Sequence, residues 1–82
     1  MVKRKDKKQK TSFLERLGFR LKVARLDSDL TQAELAAHLG LTRGSIAKIE
    51  EGATNVPIFR LKAICDVLDK DILDLFQEVA DA

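Results

Sequence analysis

Leu14, Leu17, Leu21 and Ala24 recur at three- and four-residue steps, the spacing that places side chains on one face of an α-helix. Thr11 or Ser12 just before them is a candidate N-cap, and the stripe predicts a first helix ending near residues 26–28. Residues 2–10 are polar without periodicity, so 1–11 are expected to form a flexible basic arm and 12–82 the folded domain. Leu30 stands as a hydrophobic staple before Thr31, and Thr31-Gln32-Ala33-Glu34 is a capping box of the S/T-x-x-E type. A second helix over Gln32–Leu39 follows, closed by Gly40, where a left-handed residue turns the chain. Thr42 is the next N-cap, opening a third helix over Arg43–Glu51 that Gly52 ends in the same way. Ala33, Leu35, Ala36, Leu39, Leu41, Ile46 and Ile49 form the apolar face expected to hold these two short helices together, leaving Arg43, Gly44, Ala47 and Lys48 outward. Beyond the loop Ala53–Val56, Pro57 suits the first turn of a fourth helix over 57–68, with Ile58, Leu61, Ile64, Cys65 and Leu68 inward. Asp71 caps a fifth helix over 71–80 carrying Ile72, Leu75 and Phe76. The pattern predicts an all-α, compact five-helix bundle without internal repeats.

Eighty-two residues allow one domain and a modest core, and 45% apolar with 34% charged residues suits a soluble globular chain. No apolar run reaches the roughly 20 residues needed to span a bilayer. The charged N-terminus is not followed by a signal-type apolar stretch, which predicts a cytoplasmic protein without a membrane partner. The single cysteine, Cys65, excludes an internal disulfide, and with His38 as the one histidine no metal-ligand set is legible. Cys65 repeats the inner stripe of the fourth helix and reads as core; His38 reads as an exposed or capping side chain near a helix end. No nucleophile–base set, phosphate-binding glycine loop or paired acid stands out, so neither catalysis nor a cofactor or small-molecule ligand is expected. Charge is polarised: residues 1–10 hold six Lys/Arg against one acid, and residues 66–82 hold six acids against one lysine. A basic arm beside an acidic far end points to a polyanion on one side, or else to a tail that aids solubility.

The run from Leu30 through Thr31, Gln32, Glu34, Gly40, Thr42, Arg43, Ile46 and Ile49 to Gly52 resembles the Cro/cI-type helix-turn-helix family, also called the xenobiotic-response-element family of regulators. The likeness extends over about residues 17–76, through Leu17-Gly18, Leu21 and Arg25 before the motif and Asn55, Leu68 and Leu75-Phe76 after it. It departs where Pro57 falls one place later than usual, where Asp69 replaces a customary glycine, and where Lys70 replaces an aliphatic residue. The resemblance implies a lambda-repressor-like domain with its helix-turn-helix at about 31–51, a recognition helix at about 43–51, and double-stranded DNA as partner. It also implies an ion pair between Arg25 and Glu50 that locks the reading helix to the core.

A helix of about 10 Å diameter enters the B-DNA major groove, where side chains at its N-terminal end reach base edges. Arg43 is the best base reader, because its planar fork matches guanine O6 and N7 together. Gly44 offers no side chain and admits close backbone approach or a thymine methyl. Lys48, one turn on, reads a guanine or binds phosphate. Gln32 opens the second helix, where free N–H groups favour a phosphate and its amide adds a donor, the role the resemblance also implies. Thr42, Ser45 and Asn55 are short polar groups expected on the sugar-phosphate backbone, with Thr42 alternatively a cap alone. Phe59, Leu73 and Val79 are apolar residues the core does not obviously consume, which suggests a homodimer through the fifth helix and the start of the fourth. These features favour a sequence-specific regulator that reads a palindromic operator as a homodimer. The alternatives are an antitoxin-type partner module on the same fold and a nonspecific nucleic-acid binder driven by the arm.

Overall fold

The computed structural model describes the backbone of residues 6–81 and the side chains of 12–81. Five helices follow in order, α1 (Asp6–Asp27), α2 (Gln32–Leu39), α3 (Arg43–Glu50), α4 (Ile58–Val67) and α5 (Ile72–Asp81), with no strand among the described residues. α1 packs on both α3 and α5, α2 packs on α3 and α4, and α4 meets α5. The buried side chains Leu21, Leu35, Ile46, Ile64, Leu75 and Val79, contributed by all five helices, form one core. Burial rather than propensity holds the shorter elements, because α2 and α3 have eight residues each and helices that short are marginal alone in water.

Four of the connections are built alike. Asp29, Gly40, Gly52 and Asp69 each take a positive φ just past a helix end. At each site the next residue's N–H reaches back into the last turn: Leu30 to Arg25, Leu41 to Ala36, Ala53 to Lys48 and Lys70 to Cys65. These pairs are the Schellman closure, which satisfies carbonyls that a helix end leaves unpaired. The N-termini are set by side chains. Thr31 and Glu34 form both halves of the capping box, Thr42 Oγ1 accepts from Ser45 N at 3.1 Å, and Asp71 Oδ1 accepts from Leu73 N at 2.7 Å.

α1 and α3 cross at Gly18. A Cβ there would stand 2.5 Å from the Glu50 carbonyl oxygen, so only glycine lets the first helix lie directly on the end of the third. α5 is tied back by Arg16, whose Nε donates to the Val79 carbonyl at 3.2 Å. Cys65 is fully buried in the core, and burial pushes its thiol pKa up, keeping it protonated and unreactive.

Several expectations are corrected. α1 begins at Asp6, so residues 6–11 are helical rather than arm, and neither Thr11 nor Ser12 is its N-cap. Lysine and glutamine are good helix formers, and no glycine or proline interrupts them. Lys3, Arg4 and Lys5, and the side chains of Lys7, Lys8 and Lys10, lie outside what is described. Pro57 precedes α4 with an extended ψ of 143° and caps it without a side-chain hydrogen bond. α3 ends at Glu50 rather than Glu51. Ala33 is exposed, because two residues of helix rotate it about 200° away from Leu35. Ile58 is 64% exposed at the free end of α4, beyond the core contact that begins with Leu61. Val79, read as a dimer residue, is fully buried; it lies one turn from Leu75 and shares its inward face.

Candidate nucleic-acid interface

α3 is amphipathic in the way a reading helix requires. Ile46 and Ile49 are buried, whereas Arg43, Gly44 and Lys48 are exposed. Thr42 is the N-cap, and its hydroxyl also shares a 2.9 Å hydrogen bond with Ser45 Oγ. The same short side chain therefore shapes the helix start and stays on the outer surface. Gly44 faces open space apart from Thr42 Oγ1, 3.9 Å from where a Cβ would lie, so its lack of a side chain is not imposed by packing.

Lys48 and Ser45 lie with Thr54, Asn55 and Arg60 around a cavity of about 150 Å³ between the end of α3 and the start of α4. Two cations and three short polar groups in one concavity suit a backbone phosphate, held by charge and by hydroxyl or amide donors. Of these, the sequence singled out Ser45, Lys48 and Asn55; Arg60 and Thr54 join them only in the fold. Arg60 follows the apolar Ile58-Phe59 pair, and only the turn at Pro57 brings it to Lys48; its guanidinium also lies 5.6 Å from the Phe59 ring centroid.

Behind the exposed face of α3 runs a continuous chain of polar contacts. Arg25 and Glu50 form the ion pair, with Arg25 Nε to Glu50 Oε2 at 2.7 Å and Nη2 to Oε1 at 3.1 Å. Only 6% and 5% of the two side chains are exposed. The third arm of the guanidinium, Nη1, donates to the Leu30 carbonyl at 2.7 Å, which ties α1, the α1–α2 turn and α3 together. Gln32 Nε2 donates to Glu50 Oε1 at 3.0 Å, and Arg43 Nη1 donates to Gln32 Oε1 at 2.8 Å. Gln32, expected on a phosphate, thus spends its carbonyl and one amide hydrogen inside the protein, leaving one N–H for an outside anion. His38 is exposed near the end of α2. Among the described residues no group of His, Cys, Asp or Glu side chains could hold a metal ion, and no helix is long and apolar enough to cross a membrane.

Comparison with known proteins fits this geometry. No curated protein sequence matches the chain. Among solved structures, the clp gene regulator ClgR from Corynebacterium glutamicum superposes with a TM-score of 0.80 at 29% identity, covering 84% of this chain and 88% of that one. The wild-type restriction-modification controller protein C.Esp1396I superposes with a TM-score of 0.74 at 29% identity, again over 84% of this chain and 88% of its own. A family model described as helix-turn-helix, HTH_3, matches residues 21–75, from the buried Leu21 of α1 to the buried Leu75 of α5. The chain belongs to this Cro/cI-type helix-turn-helix family of DNA-binding transcription regulators.

Proposed function

We propose that the protein is a sequence-specific regulator that reads a palindromic operator as a homodimer, in the cytoplasm. The observation that carries the reading is α3 itself, whose apolar side is locked into the core while Arg43, Gly44 and Lys48 are exposed at and after its N-terminal end. Arg43 serves as the base reader and Gly44 as the point of close approach. Thr42, Ser45, Lys48, Asn55 and Gln32 hold the sugar-phosphate backbone, joined by Thr54 and Arg60. Arrangement as a dimer is supported by the three most exposed of the six large apolar side chains on the described surface: Ile58, Phe59 and Leu73, at 64%, 68% and 72% exposure. A two-fold pairing over these residues covers them and sets two reading helices about 34 Å apart, one turn of B-DNA. The kinship with regulators named for a clp gene and for restriction-modification control supports gene regulation as the output.

Selection of bound sequences from random duplexes tests this, together with sedimentation of the wild type and Leu73→Glu. The expected result is an inverted repeat with half-sites one helical turn apart, a wild-type dimer, and a variant shifted toward monomer with weakened binding to the intact repeat. A single asymmetric site bound by a monomer would overturn the dimeric reading.

A further inference from the structure

We infer that Phe59 is a positioning residue for the cavity beside α3: its ring holds the Arg60 guanidinium, so that covering the ring with a second copy also orders a cation for the DNA backbone. This inference rests on the dimeric reading and on Arg60 as a contact to phosphate. The two residues are neighbours at the start of α4, yet they meet different surroundings. Phe59 belongs to the exposed apolar surface, whereas Arg60 is half-buried and lines the cavity with Lys48, Ser45, Thr54 and Asn55. What joins them is the guanidinium, which lies over the Phe59 ring with Cζ 5.6 Å from the centroid. Among the described residues no carboxylate lies within ion-pair distance of Arg60, and the ring is what holds it.

A ring restrains an arginine in a way that a carboxylate does not. The contact uses the flat face of the guanidinium and leaves the N–H donors, which lie in its plane, for another acceptor. An acid in the same place would spend those donors and cancel the charge, and the cavity would lose its attraction for phosphate. On an open surface the restraint is weak, because water screens the attraction and exposed side chains change rotamer freely. A second copy seated on Ile58, Phe59 and Leu73 changes both conditions: the ring loses its freedom, and one side of the stack loses its water. The attraction between cation and ring strengthens as it is desolvated. Part of the cost of ordering a long side chain is then met before DNA arrives. Coupling of this kind is reciprocal, so phosphate bound at Arg60 favours the paired state in turn.

Two readouts test the proposal. In the free protein, ¹⁵N relaxation of the Arg60 Nε–H is expected to report a restricted side chain in the wild-type dimer and an averaged one in Phe59→Leu. It should also be averaged in Leu73→Glu at a concentration where that variant sediments as a monomer, although Phe59 and Arg60 are both in place. The second readout is binding to duplexes of unrelated sequence, at a protein concentration where wild type and Phe59→Leu sediment as equally paired. There, Arg60→Gln is expected to weaken the wild type about three-fold more than it weakens Phe59→Leu. Phe59→Trp, which keeps a ring, should behave as the wild type in both measurements. Unfolding midpoints establish that each variant is folded; should Phe59→Leu fail to pair, Arg60 relaxation in Phe59→Trp and Leu73→Glu decides alone. Equal costs of Arg60→Gln with and without the ring, or an Arg60 as mobile in the dimer as in monomeric Leu73→Glu, would overturn the proposal. A wild type that sediments as a monomer would sink the dimeric reading and the coupling with it, while the Arg60→Gln comparison would still decide whether the ring holds the guanidinium. No cost of Arg60→Gln on any duplex would remove Arg60 from the backbone contacts, and this proposal with it, and would leave α3 as the reading helix untouched.

Discussion

Asp29 and Asp69 hold φ of +59° and +54° at the ends of α1 and α4, in positions that Gly40 and Gly52 occupy at the ends of α2 and α3. A side chain in the left-handed region costs roughly 1–2 kcal/mol, less for aspartate than for most residues. Asp69→Gly removes that strain but loosens the unfolded chain, so a net stabilisation of about 0.5 kcal/mol is expected as a higher urea midpoint, with DNA binding unchanged. A lower midpoint would mean that the Asp69 carboxylate contributes more than the strain it carries. Gly44 poses a different question. Its Cβ position is open apart from Thr42 Oγ1, so Gly44→Ala should fold at least as well, with a gain of up to about 1 kcal/mol from helix propensity. The added methyl points outward beside Arg43. If α3 enters the groove, the variant should be as stable as the wild type yet weaker or altered in base preference; unchanged DNA binding would remove Gly44 from the interface.

The elements show what a single sequence reveals and what it withholds. The capping box of Thr31 and Glu34, the Thr42 cap and the glycines at 40 and 52 are local devices, each encoded within about four residues, and they place α2 and the start of α3 where the pattern puts them. The start of α1 is not encoded that way. Its first turns carry lysine and glutamine with no apolar stripe, and only their helix propensity continues the helix back to Asp6. Val79 was legible in principle from its spacing to Leu75, whereas Ile58 was not, because its exposure depends on where the core ends. The contacts of Gln32 with Glu50 and Arg43 join residues 18 and 11 positions apart, and nothing short of the packed helices brings them together. The α1–α3 crossing is of the same kind. With the Glu50 carbonyl 2.5 Å from a Cβ at position 18, Gly18→Ala must push the backbones of α1 and α3 away from each other. A loss of about 3 kcal/mol in chemical unfolding is expected, with α3 displaced and DNA binding reduced accordingly. A loss below about 1 kcal/mol would show that the crossing has slack that the close approach does not suggest.

At the scale of the molecule, the elements divide between holding and reading. Arg25, Gly18 and the Ile46–Ile49 side of α3 hold that helix at a fixed height on the core, and the exposed side of α3 with the cavity beside Arg60 faces outward, as the proposed reading role requires. The acids at Asp66, Asp69, Asp71 and Asp74 belong to the end of α4, its turn and the start of α5, away in sequence from the reading helix. DNA approaching that end would meet repulsion, so the charge pattern favours one approach over the other. The exposed Ile58, Phe59 and Leu73 are the surface that the proposed dimer would cover. A molecule arranged in this way should separate affinity from specificity: cations such as Lys48 and Arg60 act on every duplex, and Arg43 acts on one sequence. The most direct measurement is therefore a titration of wild type and Arg43→Ala against the selected operator and a scrambled duplex of equal length, at one salt concentration. The operator complex of Arg43→Ala should weaken by roughly 1–3 kcal/mol per half-site, with the scrambled complex losing only the small electrostatic contribution common to both. Equal losses on the two duplexes, or none on either, would contradict α3 as the helix that reads the sequence.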